Sequence, residues 1–179
     1  MRAEPVSTAA EPGRTNPAGG TSADNADLTE FISFAIGDDQ YGVDIMAVRE
    51  IKGWTVVTHL PKQPDYVRGV LNLRGVMVPI IDLRCRFGEG LTEATGTHVV
   101  IIVQVGTRQV GLLADRVLDI VSFETSKVQP VPSVEQSTQL DFLRGLVTVD
   151  GQMIALINLP SLLSLSDGDG RGGKFSQAA

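Results

Sequence analysis

The chain has 179 residues, enough for one domain or two very small ones. Its 15 Lys and Arg against 21 Asp and Glu give a formal net charge of −6, which argues against a protein that binds nucleic acid through phosphate contacts. The single cysteine excludes an internal disulfide, and no apolar run approaches the roughly 18 residues of a membrane helix. We also expect no secretory signal, because the first residues lack its basic and then apolar order.

Both ends of the chain are poor in the large apolar residues that a packed core requires. Residues 1–27 are rich in Ala, Gly, Pro, Thr and Ser, and residues 166–179 are rich in Gly, Ser and Asp. Such segments bury too little apolar area to offset the entropy that is lost on ordering. We therefore expect a disordered amino-terminal tail, a flexible carboxy-terminal tail, and a folded unit that spans residues 28–165.

Within this unit, short apolar runs alternate with turn residues. In chain order, the runs are residues 31–36, 76–81, 98–105 and 152–157, and a Gly stands next to each of them. Runs of five to eight residues that are enriched in Val and Ile are typical of strands and hairpins. The last apolar block, residues 159–165, suits a short helix with Pro160 in its first turn. The sequence therefore predicts a mostly-β domain with minor helix.

The folded unit contains one sequence pattern twice. Residues 68–83 align without a gap on residues 144–159, and a block around Gly42 aligns on a block around Gly111 at an offset of 69. Each copy, about 31–83 and 99–159, holds about five short strands, as an SH3-like or OB-like barrel does. We expect two small β-barrels, interleaved or in tandem, that lean on each other with a groove between them. The alternative is a chance likeness between two hairpins.

Motifs for catalysis or cofactor binding are weak. Residues 168–173 match the dinucleotide pattern G-x-G-x-x-G, but neither the preceding strand nor the following helix that such a site needs is predicted there. His59 and His98 lack a third ligand at metal spacing. The basic neighbours of Cys85 could lower the pKa of its thiol, but no His or Asp pattern supports nucleophilic catalysis. We predict no enzyme activity, no metal and no cofactor.

One segment carries the signature of a partner surface. Ile45, Val48 and Ile51 recur at every third residue, so one face of a strand cannot hide all three. Exposed aliphatic side chains mark partner surfaces, and the alternative is a bulged strand or a short helical turn that packs all three inward. Arg74 stands at a predicted hairpin tip where the second copy has Asp150. The barrel therefore does not require an arginine at this position, which favours a functional role for Arg74.

Several motifs together resemble one protein family, the CheW family of bacterial chemotaxis coupling proteins. The likeness covers essentially the whole folded unit. The motifs are Phe31-x-x-Phe34-x-x-Gly37, Tyr41-Gly42-Val43-Asp44-Ile45, Val48-x-Glu50-Ile51, Gly69-Val70-x-Asn72-Leu73-Arg74-Gly75, Val78-Pro79-Ile80-Ile81-Asp82-Leu83, Gly111-Leu112, Val117-x-Asp119-Ile120 and the closing residues 159–163.

The resemblance implies two SH3-like five-stranded β-barrel subdomains and a non-enzymatic adaptor. Such an adaptor couples the cytoplasmic helical hairpin of methyl-accepting chemoreceptors to the regulatory domain of a CheA-type histidine kinase and helps to assemble the receptor array. The implied receptor groove lies between the subdomains, and Gly111 would let a helix backbone approach closely, or would serve a β-turn. The matching receptor-binding positions are Ile45, Val48, Glu50, Ile51, Arg74, Val99, Gly111 and Val117.

The resemblance also implies a kinase contact and a location. The matching kinase-binding segment is Pro130, Val131, Pro132, Ser133 and Val134, and it departs from relatives that have an acidic and an aromatic residue at its last two positions. The implied location is the cytoplasm, with recruitment to membrane-associated receptor arrays. The alternative function is a small-barrel binder of oligosaccharide or single-stranded nucleic acid, but one Trp, two Tyr, six Phe and an acidic balance count against it.

Overall fold

The fold is built almost entirely from short strands. The computed structural model describes residues 27–132 and 140–164, so the predicted tails lie outside the described residues except for Asp27. Two short helices, α1 (Leu83–Arg86) and α2 (Leu159–Ser164), confirm the predicted minor helix. The strands of the described chain are β1 (Leu28–Ile36), β2 (Asp39–Asp44), β3 (Val48–Gly53), β4 (Val67–Leu73), β5 (Val76–Asp82), β6 (Val99–Val105), β7 (Arg108–Ala114), β8 (Arg116–Glu124), β9 (Leu143–Val149) and β10 (Gln152–Ile157), and the 3₁₀ turns are Ile45–Ala47, Thr125–Lys127 and Leu140–Phe142.

The strands form two five-stranded sheets. The first, which we call barrel I, has the order β8-β1-β2-β10-β9, and the second, barrel II, has the order β3-β6-β7-β5-β4. Each of the strands β1–β5 has a repeat equivalent five strands later, so β1 corresponds to β6 and β5 corresponds to β10. Exchanging every strand for its equivalent converts one order into the other. Each barrel therefore takes strands from both halves of the chain, and the strands are interleaved. The predicted mostly-β class with two five-stranded units is confirmed.

Each sheet is closed by a segment that follows its edge strand. In barrel II, Thr58 exchanges two backbone hydrogen bonds with Val70 on β4, with N···O distances of 2.9 and 2.8 Å. In barrel I, Gln129 exchanges the same pair with Leu146 on β9, both at 2.8 Å. A Cβ on Gly69 would lie 2.8 Å from the Thr58 carbonyl carbon, so only glycine permits this close approach of two backbones.

Three apolar clusters hold the barrels together. One fills barrel I and consists of Phe31, Phe123, Val147, Ile154 and Leu156. One fills barrel II and consists of Val78, Ile80, Val100, Ile102 and Leu113. The largest, the central cluster, lies between the barrels and consists of Ile32, Phe34, Ile36, Val43, Ile81, Leu83, Phe87, Ile101, Val103, Val110, Leu112, Ala114, Phe142, Ile157, Leu159, Leu162 and Leu163. Because side chains fill this space, the predicted groove can lie only along the rim of the central cluster.

Strand β6 shows why one predicted run is continuously apolar. Val100 and Ile102 belong to the cluster inside barrel II, whereas Ile101 and Val103 belong to the central cluster. Successive side chains of a strand point to opposite faces, so a strand that is covered on both sides has no solvent face on which to place polar residues. Apolar and polar residues therefore do not alternate in β6, because this strand lies between two cores.

A buried carboxylate anchors the connection from β5 to α1. Asp82 is fully buried, accepts a hydrogen bond from Arg68 Nη1 at 3.1 Å, and accepts two from Thr92, at 2.8 Å from the backbone and 2.7 Å from the hydroxyl. It also caps α1 by accepting from the Cys85 backbone N–H at 3.3 Å. Its repeat equivalent, Asn158, caps α2 in the same way. Asp82 thus holds residues 83–92 against barrel II.

Asp115 ties the two barrels together at the connection from β7 to β8. Its carboxylate accepts hydrogen bonds from the Gly37 backbone N–H at 2.7 Å and from Arg84 Nη2 at 2.6 Å. Its own backbone N–H donates to the Ala35 carbonyl at 3.0 Å. The β1–β2 turn of barrel I is therefore held to α1, which directly follows β5 of barrel II.

Candidate protein-interaction surface

The predicted receptor-binding aliphatic residues border the central cluster. Ile45, Val48, Val99 and Val117 are half-buried and pack against it. Ile51 stands opposite Ile101, a member of the cluster, and is 42% exposed. The five residues come from both barrels and from the turn between β2 and β3. We call the part formed by Ile45, Val48 and Ile51 together with Arg49, Glu50, Lys52 and Arg74 the β3 surface.

A 3₁₀ turn and a bulge direct the aliphatic side chains of the β3 surface. The turn has three residues per revolution, so Ile45 and Val48 point the same way, and the Asp44 carboxylate caps it at 2.9 Å. The register between β3 and β6 then shifts between Val48 and Glu50, which is a β-bulge. The structure thus contains both a short helical turn and a bulge, but they do not pack all three residues inward, because Ile45 and Val48 are half-buried and Ile51 is exposed.

Arg74 occupies a backbone conformation that arginine rarely adopts. It and Gly75 form the two-residue β4–β5 turn with φ values of 51° and 87°, and Asn72 Oδ1 accepts from the Gly75 N–H at 2.8 Å. Positive φ at both central residues is the type I′ hairpin geometry, which favours Asn, Asp or Gly at the first of them. The β9–β10 turn has Asp150 and Gly151 at 50° and 76°. The turn therefore does not explain the choice of arginine at position 74.

The side chain of Arg74 forms an ion pair with Glu50 across the edges of barrel II. Arg74 Nη2 donates to the Glu50 carboxylate, and Lys52 Nζ lies 3.6 Å from the same carboxylate. The hydrogen bond from Arg74 and the positive charges of Arg74 and Lys52 hold the pKa of Glu50 below its ordinary value. Because the Arg74 side chain is 75% exposed, the pair contributes little to stability and is open to a partner.

The prediction that Gly111 opens its backbone to a partner helix is wrong. Gly111 lies inside strand β7 and is buried, so it is not a turn glycine either. An added Cβ would meet Ile80 Cδ1 and would lie 2.8 Å from Val100 Cγ1, and both residues belong to the cluster inside barrel II. The missing side chain therefore makes room for the barrel core. The β3 surface does not include Gly111.

The described part of the predicted kinase-binding segment, residues 130–132, lies on the other barrel. Pro130 and Pro132 are exposed and Val131 is half-buried, directly after the residue that closes barrel I. The remaining two positions, Ser133 and Val134, lie outside the described residues. Residues 130–132 and the β3 surface are thus on different barrels.

The pKa of the Cys85 thiol is raised, whereas its basic neighbours in the sequence suggested that it could be lowered. Burial raises the pKa of its thiol, and the negative charges of Asp82 and Asp65 raise it further. The positive charges of Arg68 and Arg86 act in the other direction but are outweighed. A thiol with a raised pKa is a poor nucleophile at neutral pH because little of it is thiolate.

The two histidines have separate surroundings. His98 Nδ1 accepts from the Thr95 backbone N–H at 3.0 Å, and its Nε2 lies 3.6 Å from Asp115. His59 is exposed on the segment that closes barrel II. Among residues 27–132 and 140–164, no group of three or more His, Cys, Asp and Glu side chains is placed to hold a metal ion. Neither of the two described helices has the length or apolar character to span a membrane.

Two cations of the β3 surface were not predicted from the sequence. Arg49 is the extra residue of the bulge and donates from Nε to Gln104 Oε1 at 2.9 Å, and Lys52 pairs with Glu50. A signal for both exists in the repeat, because the equivalent positions of the second copy hold Leu118 and Val121. Charged residues that differ between copies of one scaffold are not required by that scaffold.

Comparison with known proteins places the chain in a family. Residues 30–167 match the family model described as a CheW-like domain. The chain belongs to the CheW family. The chemotaxis protein CheW of Rhizobium meliloti (strain 1021) is 45% identical over 133 residues, which are 74% of this chain and 86% of that protein. The chemotaxis protein CheW of Klebsiella aerogenes is 38% identical over 135 residues, which are 75% of this chain and 81% of that protein.

A solved structure supports the same assignment. The crystal structure of the scaffolding protein TtCheW from Thermoanaerobacter tengcongensis superposes with a TM-score of 0.68 at 27% identity, over 84% of this chain and 91% of that chain. This CheW-family chain is therefore a chemotaxis adaptor that acts with chemotaxis signalling components. The alternative of an oligosaccharide or single-stranded nucleic acid binder is not favoured.

Proposed function

We propose that this chain joins the cytoplasmic helical hairpin of a methyl-accepting chemoreceptor to the regulatory domain of a CheA-type histidine kinase, without catalysing a reaction itself. The receptor binds at the β3 surface, with Val99 and Val117 at its border, and residues 130–134 contribute to kinase binding. The protein acts in the cytoplasm and is recruited to membrane-associated receptor arrays through these contacts.

The observation that carries the proposal is the placement of Arg74. It occupies a turn position that suits Asp or Asn, and it is paired with Glu50, whose neighbour in β3 is the exposed Ile51. An ordered charge pair at the border of an exposed apolar surface provides both affinity and register for a partner. The barrel fold does not require this ion pair, since barrel I is closed without it.

The β3 surface suits an amphipathic helix. Ile45, Val48 and Ile51 provide an apolar floor, and helix-in-groove recognition places apolar residues three and four apart on such a floor. Arg49, Lys52 and Arg74 outnumber the single carboxylate of Glu50 along one border. The helix that fits best therefore carries an acidic residue next to its apolar stripe.

The two partner sites support simultaneous binding. The β3 surface belongs mainly to barrel II and residues 130–132 belong to barrel I, so one partner leaves the other site uncovered. An adaptor of this kind acts by geometry, since it fixes the kinase relative to the receptor and transmits a change in one interface to the other.

The receptor site is tested by exchanging the charges of its ion pair. The double variant Glu50→Arg/Arg74→Glu retains an ion pair in barrel II but reverses both charges that face a partner. We expect it to fold normally and to bind a receptor fragment about tenfold more weakly in titration calorimetry. Arg144→Ala, which removes an exposed arginine from β9, is the matched control and keeps wild-type affinity. Wild-type affinity of the exchanged variant would remove the proposed site.

The kinase site is tested separately. Pro130→Glu/Pro132→Glu places two charges on exposed positions, so we expect the fold and the receptor affinity to stay unchanged. Binding to the isolated regulatory domain of the kinase should fall by about tenfold or more. Unchanged kinase affinity would show that this segment does not contribute to the contact.

A further inference from the structure

A row of four neighbouring aromatic rings lies where the end of α1 meets barrel I. The ring centroids of Phe34 and Tyr41 are 6.0 Å apart, those of Tyr41 and Phe87 are 4.8 Å apart, and those of Phe87 and Phe142 are 6.3 Å apart. Such separations are typical of favourable aromatic pairs. Since Phe87 ends α1 and Tyr41 belongs to β2, the row fills the space between this helix and the barrel.

Barrel II has one aromatic ring at the four equivalent positions. At the repeat offsets of 69 and 76, the equivalents of Phe34, Tyr41, Phe87 and Phe142 are Val103, Val110, Leu163 and Tyr66. The backbone around them is the same in both barrels, because β7 pairs with β5 as β2 pairs with β10. Less side-chain volume is therefore available between α2 and barrel II than between α1 and barrel I.

An open cavity lies at the place of the missing rings. Tyr66, Val110 and Leu163, the equivalents of three of the four rings, all line it, and Val67 and Ile81 complete an apolar wall. Its volume of about 70 Å³ is several times the space that one water molecule needs. Protein interiors rarely contain such a void. The cavity thus lacks side chains that the equivalent place in barrel I contains.

The repeat also indicates which kind of group fits the cavity. The rings of Tyr41 and Phe87 stand in barrel I where Val110 and Leu163 stand in barrel II. An aromatic ring is therefore the group that would give barrel II the packing that barrel I already has. Phe175 is the one aromatic residue of the chain that lies outside the described residues.

The chain leads from the wall of the cavity towards Phe175. The described residues end at Ser164, directly after Leu163, and Phe175 is the eleventh residue beyond Ser164. Four of residues 165–175 are Gly. A Gly-rich chain of this length has a root-mean-square span of roughly 18 Å and a maximum span of about 36 Å. A return to the cavity is therefore within reach, at an effective concentration on the order of millimolar.

We propose that the carboxy-terminal segment of this chain docks on barrel II with the ring of Phe175 in this cavity. The ring packs against Tyr66, Val110 and Leu163, as the rings of barrel I pack against one another. The docked segment covers this face of barrel II, so a partner of the same face has to displace it first. The cavity shares no residue with the β3 surface or with residues 130–134, so the proposal is independent of the proposed function.

Nuclear magnetic resonance on the full chain detects the docked ring directly. We expect nuclear Overhauser effects between the ring protons of Phe175 and the methyl groups of Val110 and Leu163. Because an aromatic ring shifts the signals of nearby protons, these methyl signals should change position in Phe175→Ala. Gln177→Ala changes the same segment without removing a ring, so it is the matched control and should leave the methyl signals in place.

Trypsin measures the docked fraction independently. The Arg171–Gly172 bond lies close to Phe175, so docking should protect it, and cleavage after Arg14 provides a reference within the same chain. Since cleavage follows the population of the open form, we expect Phe175→Ala to raise the rate at Arg171 about fivefold.

A second variant fills the cavity from the barrel side. Leu163→Phe places at position 163 the ring that barrel I has at Phe87, so it should expel the segment and raise the cleavage rate at Arg171 as well. Adding Phe175→Ala to Leu163→Phe should then cause no further increase. Phe175→Ala changes no residue of the described fold, so its result holds even if Leu163→Phe does not fold.

Three results would overturn the proposal. The first is that Phe175→Ala changes neither the Val110 and Leu163 methyl signals nor the cleavage rate at Arg171. The second is that the contacts of Phe175 increase with protein concentration, because the ring would then belong to a second copy of the chain. The third is that the methyl signals move only when a receptor fragment or the kinase regulatory domain is added, because the occupant would then be a partner.

Discussion

Leu156 lies beside Gly42 in barrel I in the same register in which Ile80 lies beside Gly111 in barrel II. Each parallel pair joins a hairpin from one half of the chain to the last strand of the other half. A Cβ on Gly42 would lie 3.1 Å from Leu156 Cδ2, whereas a Cβ on Gly111 would lie 2.8 Å from Val100 Cγ1. The two cores share one design, and the core of barrel II is packed more tightly at this point.

Replacement of Gly111 should therefore destabilise the protein more than replacement of Gly42. We expect Gly111→Ala to lower the free energy of unfolding by about 1–3 kcal/mol, because the added methyl group overpacks the barrel core. Urea denaturation followed by circular dichroism measures the effect. Gly96→Ala is the control, because nothing lies within 4 Å of its Cβ position. Equal stability of Gly111→Ala and Gly96→Ala would contradict the tight packing of the barrel II core around Gly111.

Neutralising the buried carboxylate of Asp82 should be costly. In Asp82→Asn the amide group cannot accept all the hydrogen bonds from Arg68 and Thr92, and the Arg68 cation loses its counterion. We expect a loss of about 3 kcal/mol in the free energy of unfolding, as for other broken buried pairs. Denaturation of Asp38→Asn, in an exposed turn, provides the baseline. A loss no larger than that of the control would show that the pair does not support the fold.

Arg74→Asn should separate stability from binding. Asparagine suits φ = 51° better than arginine does, and this gain offsets the loss of an exposed ion pair with Glu50. We expect the free energy of unfolding to stay close to that of the wild type, while the affinity for a receptor fragment falls. Thermal denaturation and calorimetry on the same sample measure the two quantities. A large drop in the free energy of unfolding would mean that Arg74 stabilises the β4–β5 turn.

Tyr41 makes the stability of the protein depend on pH in the alkaline range. Burial raises its pKa from 10.0 to about 12, and the charges of Asp39 and Glu89 act in the same direction. A group whose pKa is raised by folding contributes stability that is fully present below its unfolded pKa and is lost as the pH rises through its folded pKa. The melting temperature should therefore fall between pH 10 and pH 12, and it should fall less in Tyr41→Phe.

The phenylalanine variant is a close match because the ring of Tyr41 stacks on Phe87 at 4.8 Å between centroids. Absorbance of tyrosinate near 295 nm follows the ionisation directly in the folded protein. Identical alkaline melting curves for the wild type and Tyr41→Phe would show that another group controls this range.

The fold class was predictable because strand length and turn chemistry are local properties. The runs 31–36, 76–81, 98–105 and 152–157 all fall on strands, except that His98 precedes the first residue of β6. The interleaving was not predictable, because a repeat offset identifies equivalent residues without identifying their spatial neighbours. Gly42 and Gly111 align in the sequence, but only the structure shows that each pairs with a strand of the other half.

The candidate site was predictable where a residue conflicted with its local role. Ile51 breaks the alternation of β3, and Arg74 occupies a turn that suits Asp, so both stood out. Gly111 was misassigned because a glycine that makes room in a core cannot be distinguished by type from one that exposes a backbone. Arg49 was missed because its exposure depends on a bulge, which arises from the pairing of β3 with β6.

The exchange of hairpins between the barrels has a mechanical consequence. The first half of the chain supplies two strands of barrel I and three of barrel II, and the second half supplies the rest. Neither half holds a complete barrel, so a cut in the connection between α1 and β6 would yield two fragments that can fold only in each other's presence. Unlike two domains on a flexible linker, the barrels cannot drift apart without breaking strand pairs. Two surfaces on opposite barrels, such as the β3 surface and residues 130–132, are thus held at a fixed spacing by the interleaved strands.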